Sequence, residues 1–247
     1  METVRCEAIV LKLADYREND RLVTVYTLEH GLLSGVARGA KRSVRRFGGA
    51  LELFARLQLQ VGIKPGLCSF LEAEIITIHQ GIRTDIERIA HAGYACELLA
   101  ALSPEGMANP RLFRLFTAYL DHLDRHPADP SNRRFFEINL LNILGYRPSL
   151  DGCSRCGSEY GHDAGDIRHH FGELLCRTCA PAGRHLTWPA LELLALSLRS
   201  GRFGAVSFPE SILAEAGELL DSAIASHLAA PLRSLAFLRE IEHETRP

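Results

Sequence analysis

The sequence predicts an α+β chain of more than one domain: a five-stranded N-terminal β-barrel, a helical domain, and a four-cysteine segment inserted among the helices. Three observations carry this. Apolar residues alternate with polar ones over the first eighty positions, and after Gln80 they recur with helical spacing. Between Asp151 and Gly183 neither period survives, and glycine, histidine and four cysteines concentrate instead. At 247 residues the chain exceeds one ordinary domain, so division into two or three units is expected: 1–80, then 81–150 with 184–247, interrupted by 151–183.

Val4, Cys6, Ala8 and Val10 alternate with Arg5, Glu7, Ile9 and Leu11, and Leu57, Leu59 and Val61 alternate with Gln58 and Gln60. Strands are placed at Thr3 to Leu13, Arg21 to Thr27, Leu32 to Arg38, Ala50 to Val61 and Leu67 to Ile78. Glu29-His30-Gly31 and Lys64-Pro65-Gly66 supply tight turns. Five strands in about eighty residues suit a small closed barrel, because closure removes exposed strand edges.

The first helix carries Ile82, Ile86, Ile89, Gly93, Cys96 and Leu99 on one face, with Thr84 or Asp85 as its N-cap. A second runs from Pro110 to Leu123, and a third from Ser131 to Leu144 stops at Gly145. Beyond the cysteines, Thr187 caps a segment with Pro189 in its first turn. Ser207-Phe208-Pro209-Glu210 matches a capping box, and Pro231 opens a last helix with Leu232, Leu235, Leu238 and Ile241. No repeats or low-complexity segments are present.

Composition narrows the function classes. Hydrophobic residues form 47% of the chain and charged residues 23%, which excludes disorder over most of its length. The N-terminus lacks a signal-like apolar run, and no apolar stretch approaches the ~20 residues of a membrane span, so a cytoplasmic protein without a membrane partner is expected. Net charge is −2, so any nucleic-acid partner must be argued from local clustering.

Cys153-Ser-Arg-Cys156 and Cys176-Arg-Thr-Cys179 lie nineteen residues apart, close to the spacing of paired hairpins in zinc ribbons. Four thiolates would close a tetrahedral Zn2+ and leave no position for a reactive water, so one structural zinc is expected and catalysis is not. Such an ion orders a segment that has almost no core. With four cysteines available, His162, His169 and His170 are read as solvent-facing hairpin histidines. Cys6, Cys68 and Cys96, each in an apolar setting, are read as small buried hydrophobes.

Arg38, Lys41, Arg42, Arg45 and Arg46 fall within nine residues that contain no acid and are spaced by small side chains, a pattern suited to phosphate. Phe47 is open to two readings, a base-stacking ring or a core plug. Gly35 to Ser43 resembles a phosphate-binding loop but fails its rule, since Ala40 precedes Lys41 and Arg42 follows it.

These residues sit within longer segments, EAIVLKLADYRENDRLVTVYTLEHGLLSGVARGAKR, FGGALELF, FFEINLLNILGYRPSLDGCSRCG and CRTC, through which the chain resembles the RecO family of bacterial recombination mediators. The resemblance implies an N-terminal OB-fold, a central helical domain and a zinc ribbon. It implies binding of single- and double-stranded DNA, annealing of complementary strands, and action with RecR to load RecA onto DNA coated by single-strand binding protein, in a pathway that includes RecF. By position it puts DNA binding on Arg38, Lys41, Arg42, Arg45 and Arg46, with Arg17, Arg21, Arg56 and Lys64 as further barrel candidates. It puts metal on the four cysteines, although some members lack ligands, so zinc is not expected to be required for DNA contact. Arg125, Arg133 and Arg134 are candidates to receive the acidic tail of single-strand binding protein. The rival readings are a zinc-ribbon adaptor of transcription or translation, marked by RNA preference, and a protein-interaction scaffold. A zinc deaminase is disfavoured because its HxE and PCxxC arrangement is absent.

Overall fold

In a computed structural model, which describes residues 2–160 and 167–244, five strands close an N-terminal barrel: β1 (Glu2–Tyr16), β2 (Asp20–Thr27), β3 (Gly31–Ala37), β4 (Arg56–Ile63) and β5 (Cys68–Thr77). The order around the barrel is β1-β2-β3-β5-β4. β1 is long because it closes two seams, pairing its first half with β4 and its second half with β2. The register slips between Val10 and Lys12, a bulge that lets one strand turn from one neighbour to the other. β3 and β5 run parallel, so the chain crosses between them, through the short helix α1 (Val44–Phe47) and β4. This is the OB-fold the resemblance implied.

Strand alternation sends Val10, Val23, Val25, Leu57, Leu59, Val61 and Phe70 into the barrel core. The expected strand from Ala50 begins only at Arg56. Ala50, Leu51 and Ala55 are buried in that core, but Phe54 has φ of 67°, and the segment is tied to β1 by two single bonds, from Phe54 N to Val10 O and from Val10 N to Ala55 O. It fills the core as an irregular plug, which apolar content alone does not separate from a strand.

Grouped by contacts, the barrel forms one unit with residues up to Pro127 and from Leu232 onward, while Ala128–Pro231 forms a second. This partition differs from the expected grouping by element type. The first unit adds α2 (Gln80–Arg83), α3 (Ile86–Leu102), α4 (Pro110–Arg125) and α8 (Arg233–Glu244). Asp85 caps α3, accepting from the amides of Glu87 and Arg88. The buried face of α3 is Ala90, His91, Tyr94, Ala95, Leu98 and Leu102 with Cys96 and Leu99, whereas Ile86 at its first turn is 51% exposed. Far along the sequence, the Glu97 carboxylate accepts the amides of Arg233 and Ser234 and so starts α8.

The second unit packs α5 (Pro130–Leu144), α6 (Trp188–Ser200) and α7 (Glu210–Ala225) beside a three-stranded sheet of β6 (Ile167–His170), β7 (Glu173–Cys176) and β8 (Arg184–His185). α5 ends where Gly145 adopts φ of 80°. Thr187 is the N-cap residue of α6, as expected, although its hydroxyl donates to Glu215 on α7 at 2.7 Å and not to the helix. One expected cap is corrected. Ser207 and Glu210 form no capping box, because α7 begins at Glu210 behind Pro209. Among the described residues no helix is long and apolar enough to cross a membrane. Cys6, Cys68 and Cys96 are buried, with burial pushing the Cys6 thiol up to about 12 and the Cys96 thiol upward as well.

Candidate nucleic-acid interface and four-cysteine centre

The basic loop leaves the barrel at the end of β3 and is fixed at three points. The Gly39 amide donates to Asp20 Oδ1 at 2.8 Å, and the Lys41 amide to Asn19 O at 3.1 Å, which ties the loop to the β1–β2 turn. Ser43 caps α1, Gly48 closes it in the left-handed region, and Phe47 drops into the barrel core at 2% exposure. Phe47 is therefore the core plug and not a stacking platform. It anchors α1 while the cations around it stay outside.

Arg38, Lys41, Arg42 and Arg45 are exposed. Lys41 Nζ lies 2.9 Å from Asp15 and Arg42 3.4 Å from Glu18, both solvent-facing pairs of the kind that contribute little and exchange readily for another anion. Arg38 and Arg45 have no acidic partner among the described residues. Arg46 folds back, donating to Ser43 Oγ at 3.2 Å and to Arg38 O at 2.8 Å, and lies 5.3 Å from the Phe47 ring centroid. Arg17 sits in the β1–β2 turn at φ of 54°, over the Tyr16 ring, and Lys64 is exposed in the β4–β5 turn. Those two turns frame the oligonucleotide face of OB-folds in general.

Arg21 and Arg56 differ. Arg21 donates to Leu51 O at 2.7 Å and approaches Glu52, holding the irregular plug in place. Arg56 is paired with Glu7 across the β1–β4 seam. Both guanidinium groups are committed to the barrel. Asp20 and Asn19, which hold the loop, were not singled out from the sequence. Their only signal there is a polar run ahead of a strand.

In the second unit, β7 ends on Cys176 and a tight turn brings Cys179 back, with its amide and that of Ala180 donating to Cys176 O. Cys153 and Cys156 sit on a turn closed by Gly157, and Ser154 bonds through both amide and hydroxyl to Leu174 O, locking the turn against the β6–β7 hairpin. All four sulfurs lie within 4.8 Å of one another, and Cys156 Sγ is 3.8 Å from Cys176 Sγ. Zn–S bonds of about 2.3 Å in a tetrahedron require sulfur separations of ~3.8 Å. The residues therefore fit a metal ion.

Their electrostatics agree. Burial opposes ionisation of Cys153, but the amides of Cys176, Cys156 and Arg155 bring its thiol down to about 6. The Cys179 amide lowers Cys176, whereas Cys179, sharing its proton with Cys176 and Cys156, is held up to about 12. Four sulfurs this close repel as thiolates, and a divalent cation removes that repulsion.

Two expectations in this unit are corrected. His169 is 4% exposed, not solvent-facing, with Nε2 3.9 Å from Glu218. Its partner in the expectation, His170, is exposed, and His162 lies outside the described residues. Burial, ahead of the opposing pull of Glu218, lowers the His169 pKa. Arg133 and Arg134 are 4% and 6% exposed, and Arg134 Nη1 is 2.7 Å from both Glu137 and Asp221. Neither guanidinium is presented to a partner's acidic tail. Arg125 is exposed at the end of α4.

Compared with known proteins, residues 1–79 match the family profile of the recombination protein O N terminal, and residues 83–236 that of the recombination protein O C terminal. The chain is 53% identical over 241 residues to a DNA repair protein RecO of Geobacter sulfurreducens, covering 98% of this chain and 99% of the relative. It is 50% identical over 247 residues to the protein of the same name in Pelobacter propionicus, covering both completely, and 40% identical to that of Anaeromyxobacter sp. strain K.

Proposed function

The chain belongs to the RecO family of DNA repair proteins, and from that premise we propose that it is a DNA-binding recombination mediator that works without covalent chemistry. It binds single- and double-stranded DNA through the phosphate backbone, anneals complementary strands, and with RecR promotes loading of RecA on DNA coated by single-strand binding protein. It acts in the cytoplasm, at DNA under repair. The observation that carries this reading is an acid-free run of exposed cations, Arg38, Lys41, Arg42 and Arg45 with Arg46 behind them, pinned to the β1–β2 turn of an OB barrel. Arg17 and Lys64 extend the track onto the framing turns. Arg21 and Arg56 serve it indirectly, by holding the barrel.

Annealing follows from the same charges. Neutralising phosphates on two strands lowers their repulsion, and base pairing drives the rest. Since the contacts are to backbone, sequence preference is slight and salt dependence strong. The four cysteines hold one Zn2+, which supplies structure and no reactive water. Arg125 is the remaining cation proposed for the acidic tail of single-strand binding protein. In functional terms, 1–80 is the DNA-binding part, 81–150 with 184–247 the helical part, and 151–183 the zinc segment.

The test is fluorescence anisotropy of a labelled single-stranded oligonucleotide across a salt series, comparing the native chain with a Lys41, Arg42, Arg45, Arg46→Ala variant. The variant is expected to bind more weakly, with a salt slope shallower by up to roughly 0.7 per lost phosphate contact. Equal binding by both proteins would remove the loop as the DNA site.

A further inference from the structure

His79, in the turn between β5 and α2, is 1% exposed, yet both of its ring nitrogens meet acceptors. Nδ1 lies 2.7 Å from Phe54 O and Nε2 3.2 Å from Asp121 Oδ1 on α4. A carbonyl oxygen and a carboxylate offer only lone pairs, so each nitrogen must bring a hydrogen, which a neutral imidazole cannot do at both. A neutral ring would leave a nitrogen lone pair facing a carboxylate oxygen in a site closed to water. The geometry thus calls for a proton held between Nε2 and Oδ1. Asp121 is the ion-pair partner of the ring. Charged groups on the elements around it are engaged elsewhere. Asp124 of α4 accepts the Gly81 amide at 2.7 Å, and Arg88 of α3 pairs with Asp85 at 3.3 Å. Glu52, in the segment at 50–55, is held by Arg83 of α2 at 3.2 Å, Arg56 of β4 pairs with Glu7 of β1, and His122 of α4 lies against His126.

The two residues that this ring joins are unusual in backbone as well. Among the described residues four other than glycine have positive φ, and His79 at 47° and Phe54 at 67° are two of them. Such conformations persist where surrounding bonds hold them, and they collect at functional sites. Phe54 belongs to the plug that follows the basic loop, and Gly48 and Gly49, both left-handed, are all that separates that plug from α1. The plug is therefore the far anchor of the loop, as the β1–β2 turn is the near one. Resting on the reading of this loop as the DNA track, we propose that His79, protonated at both nitrogens, is a positioning residue for DNA binding. It clamps Phe54 to Asp121 of α4 and so fixes the end of the plug against which the cations are presented. When the proton on Nε2 leaves, the ring keeps one acceptor and turns a lone pair to the other, the clamp opens, and the loop must be ordered at the moment of binding.

The full chain would be labelled with nitrogen-15 in its histidine rings and followed by magnetic resonance across a pH series. The His79 signals are those lost in His79→Asn, an exchange that suits the left-handed backbone but is too short to span both acceptors. At about pH 7 both His79 nitrogens are expected to carry hydrogen, and a neutral ring there would overturn the proposal. Affinity for a labelled single-stranded oligonucleotide would be measured over the same series at constant salt. His79→Asn should bind about threefold more weakly at about pH 7, as ordering one further side chain on binding would cost. The native chain should fall to the level of that variant over the pH interval in which its Nε2 proton leaves. Asp121→Asn replaces the carboxylate by an amide that donates to a neutral ring, so it should hold its affinity through that interval. Loss of the Nε2 proton without a change in affinity, native binding by His79→Asn, or a native-like fall in Asp121→Asn would each overturn the inference while leaving the loop as the DNA site. A native chain that binds no DNA at any pH would instead remove the DNA reading, and this inference with it.

Discussion

The arginines of this chain separate by what their guanidinium groups touch. Arg45 faces solvent beside no acid, whereas Arg21 holds Leu51 O and Arg134 is enclosed by Glu137 and Asp221. Arg45→Ala is therefore expected to leave the melting temperature unchanged and to flatten the salt dependence of DNA binding by about 0.7. Arg21→Ala should reverse the pattern, costing about 1–2 kcal/mol in urea unfolding through the freed carbonyl, with a smaller effect on the salt slope. Arg134→Ala removes the buried guanidinium that lies 2.7 Å from both Glu137 and Asp221 and should cost about 3–5 kcal/mol, readable as a lower urea midpoint. A midpoint within experimental scatter of the native protein would refute the buried triad. The cysteines could be read from the sequence because ligand spacing is itself geometry. Arg133 and Arg134 could not, since a charged residue defaults to the surface until a distant Asp221 is known to meet it. His169 misled for the converse reason: it lies in a polar stretch, yet sheet pairing turns it inward.

That buried histidine gives the hairpin a pH dependence whose direction is fixed. Its folded pKa is lowered from 6.5 by burial, helped by Arg184 and His170 and opposed by Glu218. A depressed histidine contributes stability that is complete above 6.5 and is lost as pH falls through its folded value. Unfolding of the second unit should thus become easier on acidification below 6.5, and His169→Gln should reduce that slope; equal slopes in both proteins would rule the histidine out as its source. At this scale the sequence was informative wherever one face of an element is buried. Period-two alternation located β1 and, from Leu57 to Val61, β4, and cap residues located the helix ends at Gly145 and Asp85. It failed at 50–55, where buried apolar residues run without a ladder, and at the Ser207 box, where Pro209 sets the helix start instead. α1 shows why such elements matter. Only four residues long, it is held by Phe47 in the barrel core. Phe47→Ala should cost about 3–5 kcal/mol and weaken DNA binding although every cation remains, because the loop loses its anchor.

For the whole molecule, the fold class and the order of its parts followed from periods and from the cysteine pairs. The grouping into compact units did not. That α8 joins α3 depends on Glu97 meeting Arg233 and Ser234 across more than a hundred residues, a pairing no local pattern contains. The division has a functional consequence. The proposed DNA track, from Arg17 through Arg46 to Lys64, lies in the unit that contains the barrel, while the four cysteines lie in the other. The barrel's core is complete within its own strands, α1 and the plug at 50–55, so nothing in it relies on a metal ion. Of the described residues between Asp151 and Gly183, few large apolar side chains are buried, chiefly Tyr160, Ile167, Leu174 and Leu175, and an ion held by four thiolates would supply a large part of the segment's order. Cys176→Ala should accordingly open this segment first, with proteolysis falling between Asp151 and Gly183 under conditions in which the native chain resists. The same variant should bind single-stranded DNA with nearly native affinity and salt slope. Unchanged protease resistance would show that the segment stands without its metal. DNA affinity falling in step with metal loss would show that the nucleic-acid track extends beyond the barrel and its basic loop.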